Sequence, residues 1–101
     1  MEEDNILTEE KPRTIKLADG KDYKIPLMNL TTLANLEQTM GFGLAKLQQK
    51  MIEESATTLR LIVYALLKEN HPGITLEKAG ELVTFENMKD VSEILSKILA
   101  M

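Results

Sequence analysis

The segment Ala56-Thr-Thr-Leu-Arg-Leu-Ile-Val-Tyr-Ala-Leu-Leu-Lys-Glu-Asn70 leaves few folds open, because it is the most apolar part of the chain and is polar at both ends. Leu59, Ile62, Val63, Leu66 and Leu67 recur at the spacing of one helical face, and Leu61, Tyr64 and Ala65 widen it beyond a single stripe. A helix apolar around most of its circumference needs neighbours on several sides, so this segment is predicted to be the central helix of a small domain. At about fifteen residues, against the ~20 that cross a bilayer, and with Arg60 inside it, it does not suit a membrane span. His71-Pro72-Gly73 ends it, since proline disfavours helical geometry in the residue before it and glycine supplies the turn.

A chain of 101 residues suits one domain with a single core. Aromatic residues make up 4% and there is no Trp, so the core is expected from Leu, Ile, Val and Met, and a base-stacking surface is not. The absence of Cys excludes a disulfide framework, a thiolate metal site and a cysteine nucleophile, and fits an intracellular protein. No apolar stretch near the start reads as a secretory signal. The net charge of -4 is uneven: Glu2, Glu3, Asp4, Glu9 and Glu10 face no basic residue among the first ten. The remainder carries 12 basic and 11 acidic side chains and has no field to attract nucleic acid.

Residues 1–12 are expected to be a disordered acidic tail, and 13–101 a single globular domain. Between Arg13 and Pro26 the apolar residues alternate, with Ile15 and Leu17 on one strand and Tyr23 and Ile25 on the next. A two-residue Asp19-Gly20 loop would put the two apolar pairs on opposite faces. A three-residue loop, Ala18 to Gly20 with Gly20 left-handed, pairs Ile15 with Tyr23 and Arg13 with Ile25 and brings all four onto one face. A lone hairpin is marginal in water, so that face is expected to lie on helices, with Lys16, Asp22 and Lys24 outward. Helices are expected at about 30–40, capped by Asn29 or Thr31, and at 44–54, 56–70, 76–83 and 87–100. Whether 44–70 is one helix or two stays open, because Ser55, Thr57 and Thr58 are weak helix formers. Gly80 suggests close approach to a neighbour, and Asn87 with Asp90 resembles a capping box. The fold class expected is α+β, mostly α, with an N-terminal β-hairpin packed on a compact bundle of four to five helices.

Chemistry is sparse. His71 is the single histidine, lies at a helix stop, and has no nucleophile or carboxylate at a spacing that points to a relay; it is read as a surface residue at a helix C-terminus. The pairs Glu53-Glu54 and Glu77-Glu81 lack the spacing of a calcium loop and read as solvated helix faces. Gly41-Phe42-Gly43 lacks the Lys-Ser/Thr of a phosphate loop and reads as a helix break. No catalytic, cofactor or metal residue is assigned, and no small-molecule substrate is expected. Thr75 to Leu99 has the outline of a helix-turn-helix, but Lys89 and Lys97 are opposed by Asp90 and Glu93, which leaves few phosphate contacts.

Taken together, the hairpin Ile15-Lys-Leu-Ala-Asp-Gly-Lys-Asp-Tyr-Lys-Ile-Pro26, a leucine-spaced helix, the Tyr64-Ala-Leu-Leu-Lys68 helix, His71-Pro-Gly-Ile-Thr-Leu-Glu77 and a closing Leu/Ile helix resemble the small tail assembly chaperones of long-tailed phages and prophages. The resemblance covers about residues 14–100. It implies a non-enzymatic protein of the host bacterial cytoplasm that binds a helical client, the tape measure protein, during tail morphogenesis. The alternative is a small prophage-type regulator or adaptor, with DNA contacts through 75–99. Independently of the resemblance, a domain this small has one layer of core, while the last helix and Leu44 to Ile52 carry more apolar residues than one layer absorbs. Leu47, Met51, Ile98 and Met101 are therefore the candidate surface for a protein partner or for self-association.

Overall fold

The computed structural model describes residues 13–99. The acidic tail expected at 1–12 lies outside the described residues, as does Met101. The fold is α+β and mostly helical, an antiparallel hairpin of β1 (Arg13–Lys16) and β2 (Asp22–Ile25) followed by five helices.

The hairpin pairs Ile15 with Tyr23 and Arg13 with Ile25, the register that parity demanded. Gly20 is left-handed at φ 81°, and its N–H donates to Leu17 O at 2.9 Å while Leu17 N–H donates to Lys21 O at 3.2 Å. This is the three-residue bulged loop, and it needs glycine at its third position. Ile15, Leu17 and Ile25 are buried and Tyr23 is half-buried, whereas Lys16, Asp22 and Lys24 are exposed.

The first helix, α1 (Leu30–Met40), starts where Asn29 Oδ1 accepts from Thr32 N–H at 2.9 Å. Buried Thr32 meanwhile donates its hydroxyl to Leu27 O at 2.7 Å. Left-handed Gly41 (φ 87°) ends the helix. The Glu37 carboxylate then accepts from Leu44 N–H at 2.8 Å and pins the Gly41-Phe42-Gly43 loop.

A helix was expected from Leu44, but Leu44–Lys46 form a 3₁₀ turn and the α-helix proper, α2, runs Leu47–Glu53. A bend at Glu54 (φ -140°, ψ 64°) separates α2 from α3 (Ser55–Lys68), so 44–70 is broken. Two hydroxyls account for the break. Ser55 Oγ donates to Met51 O, and buried Thr58 Oγ1 donates to Lys50 O at 3.1 Å, so that side chains reach back to the last carbonyls of α2.

Helix α3 is the centre of the molecule and packs against α1, α2, β2 and α4 (Leu76–Glu81). Ile62, Val63, Ala65, Leu66 and Leu67 are all buried on it, which is why it is apolar around so much of its circumference. It stops at Lys68, two residues short of the expectation, as His71 N–H closes its last turn onto Leu67 O. Thr75 Oγ1 caps α4 by accepting from Lys78 N–H at 3.0 Å. Helix α4 ends at Glu81 rather than Val83, and Leu82 O then accepts from both Ala18 N–H (3.0 Å) and Asn87 Nδ2 (2.9 Å). One carbonyl thus joins the hairpin loop to the start of α5 (Met88–Leu99). This corrects the expected capping box. The Asn87 side chain turns backward, accepting from Thr84 N–H at 2.7 Å, and braces the 82–87 turn.

Candidate protein-binding groove

Helix α5 is held by Val91 and Leu95, both buried, and has a cleft on each side. One cleft, about 470 Å³, lies between α5 and the Leu44–Met51 segment. Its floor is Leu59 and Ile62 of α3; one wall is Leu44, Leu47, Gln48 and Met51, and the other is Ser92, Leu95 and Ser96 of α5. Among the described residues, none that lines it is ionisable.

Local sequence explains these walls. In α2, Leu47 and Met51 sit one turn apart and half-buried against the core, with Leu44 of the 3₁₀ turn beside them. On α5 the apolar stripe that buries Val91 and Leu95 is flanked by Ser92 and Ser96, also one turn apart, whose small side chains keep that wall low. Ile52, one turn from Gln48 on α2, is 77% exposed and does not line the cleft.

The second cleft, about 580 Å³, lies between the hairpin and the opposite side of α5. Glu86, Asp90 and Glu93 line it, with Lys16 the one cationic side chain among its lining residues. A third, about 430 Å³, surrounds Arg60, Glu77 and Glu81 between α3 and α4. Phe85, in the turn before α5, is 93% exposed.

Of the four residues expected to form a partner surface, Leu47 and Met51 line the first cleft. Ile98 lies on α5 one turn beyond Leu95, with its side chain outside the described residues. The sequence reading counted Leu44 within the apolar segment 44–52 and Leu59 on the central helix, but assigned neither of them, nor Leu95, Ser92 or Ser96, to the partner surface. The serines did carry a signal, a four-residue spacing beside an apolar stripe, but which side of α5 they face depends on how the helix docks.

His71 is not the surface residue expected. It is half-buried, its ring stands edge-on to Tyr23 at 5.0 Å between centroids and 64° between planes, and its Nε2 is buried without a hydrogen-bond partner among the described residues. This contact ties the end of α3 to β2, as does the hydrogen bond from Asn70 Nδ2 to Lys24 O at 3.5 Å. In the hairpin, the Tyr23 hydroxyl donates to the Asp19 carboxylate at 2.5 Å, and Lys21 N–H donates to the same carboxylate at 3.0 Å. These bonds, Tyr23 first, hold the Asp19 carboxyl below the usual carboxylate range, and the same bond pushes the Tyr23 phenol up. Glu53, Glu54, Glu77 and Glu81 are all exposed, and among the described residues no group of three or more His, Cys, Asp or Glu is placed to hold a metal ion. Among the same residues no helix is long and apolar enough to cross a membrane.

No protein-family model, curated protein or solved structure matches the chain.

Proposed function

We propose that the protein is a non-enzymatic assembly chaperone of the phage-tail type, which holds a helical segment of a tape measure protein in the groove between Leu44–Met51 and α5. The observation that carries this reading is the groove itself, an uncharged, largely apolar trough of about 470 Å³ on a domain of mixed charge. Apolar grooves between helices are a common seat for an amphipathic helix. The hairpin and helix order that resembles the tail chaperones supplies the identity of the client. DNA binding through 75–99 has less support, since Glu86, Asp90 and Glu93 lie together beside α5 where phosphates would need cations.

The test is co-expression with helical fragments of a tape measure protein encoded beside this gene, followed by co-purification. A complex that survives raised salt and is lost in the double variant Leu47→Ser/Met51→Ser, with native circular dichroism, supports the reading. No complex with any fragment, together with salt-sensitive binding to duplex DNA, overturns it.

A further inference from the structure

We infer that the α2–α5 groove selects a short helix whose inserted face has no ionisable side chain, and that Ser92 and Ser96 set how closely that helix approaches. The inference rests on the client-binding reading and deepens it by giving the chemistry of the occupant.

The charge argument comes from what the walls lack. Charged residues make up 28% of the chain, yet among the described residues none lines this groove, whereas each of the other two clefts is lined by acidic and basic side chains. A partner carboxylate or ammonium entering the groove would give up its water without gaining a counter-charge. Gln48, Ser92 and Ser96 offer hydrogen bonds that suit an amide or hydroxyl but do not neutralise a charge. An occupant is therefore matched to the groove when the residues it inserts are aliphatic or small and polar.

The length argument comes from the walls themselves. From Leu44 to Met51 the first wall covers about two helical turns, roughly 10–12 Å at 1.5 Å per residue, and Ser92 to Ser96 covers just over one turn opposite. Two or three inserted side chains, at positions such as i, i+4 and i+7, fill that length. The low serine wall beside Leu95 lets the occupant's backbone approach α5 more closely than it approaches the Leu47 and Met51 wall. Larger side chains at positions 92 and 96 would raise the wall and close the seat.

The probe is a fourteen-residue hydrocarbon-stapled helix carrying Leu at positions 3, 7 and 10, with Ala, Ser and Gln elsewhere on that face. Two twins carry Glu or Lys at position 7. Titrated into the full-length ¹⁵N-labelled protein, the Leu probe is expected to shift the amides of Leu44 to Met51 and of Ser92 to Ser96, and each charged twin to bind at least tenfold more weakly. Ser96→Phe is expected to weaken the Leu probe at least tenfold and Ser96→Ala to leave it unchanged; should Ser96→Phe fail to fold, Ser92→Leu takes its place. Equal affinity for the three probes, shifts confined to another face, or a second copy of the chain occupying the groove in sedimentation experiments would each overturn the inference. Failure here is separable from failure of the chaperone reading. A tape measure fragment that co-purifies with the native chain and with Ser96→Phe alike keeps that reading and removes this one.

Discussion

The side chain of Arg60 on α3 lies across Gly80 on α4, so closely that a Cβ built on Gly80 would stand 2.7 Å from Arg60 Cδ and 3.1 Å from Cγ. Glycine within a helix costs up to about 1 kcal/mol relative to alanine, and here it makes room for the aliphatic stem of an exposed arginine. Alanine at 80 restores helix propensity but forces Arg60 to move. Gly80→Ala alone is expected to stay within about 0.5 kcal/mol of the native stability, whereas Gly80→Ala in an Arg60→Ala background gains up to about 1 kcal/mol over Arg60→Ala alone. Urea denaturation of the four proteins checks this. Additive effects would show that the Arg60 contact has no energetic weight.

The hairpin anchors through Ile25, which is 1% exposed, and presents Lys16 to solvent. Ile25→Ala is expected to cost about 2–5 kcal/mol and Lys16→Ala less than about 0.5 kcal/mol. Tyr23→Ala falls between them, near 1–3 kcal/mol, because the ring is half-buried and is held by His71 on one side and Asp19 on the other. Equal melting temperatures for Ile25→Ala and Lys16→Ala would contradict the packed face.

Thr58 is buried and spends its hydroxyl on the last turn of α2. Thr58→Val keeps the shape and removes the donor, and is expected to cost about 1 kcal/mol. Thr57→Val, at an exposed neighbouring site, is expected to stay within about 0.5 kcal/mol. If Thr58→Val were silent in thermal unfolding, the bend at Glu54 would have to be held by other means.

The Asp19–Tyr23 bond gives the loop a pH signature at both ends of the scale. Asp19 has its folded pKa below the ordinary 3.8, so the stability it contributes is complete above that value and is lost as pH falls through the depressed folded value. Tyr23 has its folded pKa above the ordinary 10.0, so its contribution is complete below 10.0 and is lost as pH rises through the raised value. The Lys21 amide, which bonds the same carboxylate, is expected to titrate with Asp19 in ¹⁵N spectra. Asp19→Asn is expected to abolish the acid step, and an acid step that survives in Asp19→Asn would assign the titration to another group.

Residues that answer to a simple period declared themselves in the sequence. The hairpin register follows from the period of two together with a short loop, since of the two-residue and three-residue loops only the latter puts Ile15, Leu17, Tyr23 and Ile25 on a common face. The central helix follows from the spacing of Leu59 to Leu67, because a helix that apolar has to be surrounded. Gly80 likewise signalled a close approach, though not that Arg60 would be the neighbour. Three things were decided only by the tertiary structure. The break at Glu54 depends on the Ser55 and Thr58 hydroxyls, which serve equally well inside a helix until a packed neighbour fixes one arrangement. Asn87 had two backbone segments within reach, and the docking of the hairpin loop onto Leu82 O favoured the backward one. The groove depends on the angle and separation at which α5 meets α2 and α3: periodicity names the apolar side chains of each helix, but contact between helices separates Val91, which is buried completely, from Met51, which is left half-open at the groove wall.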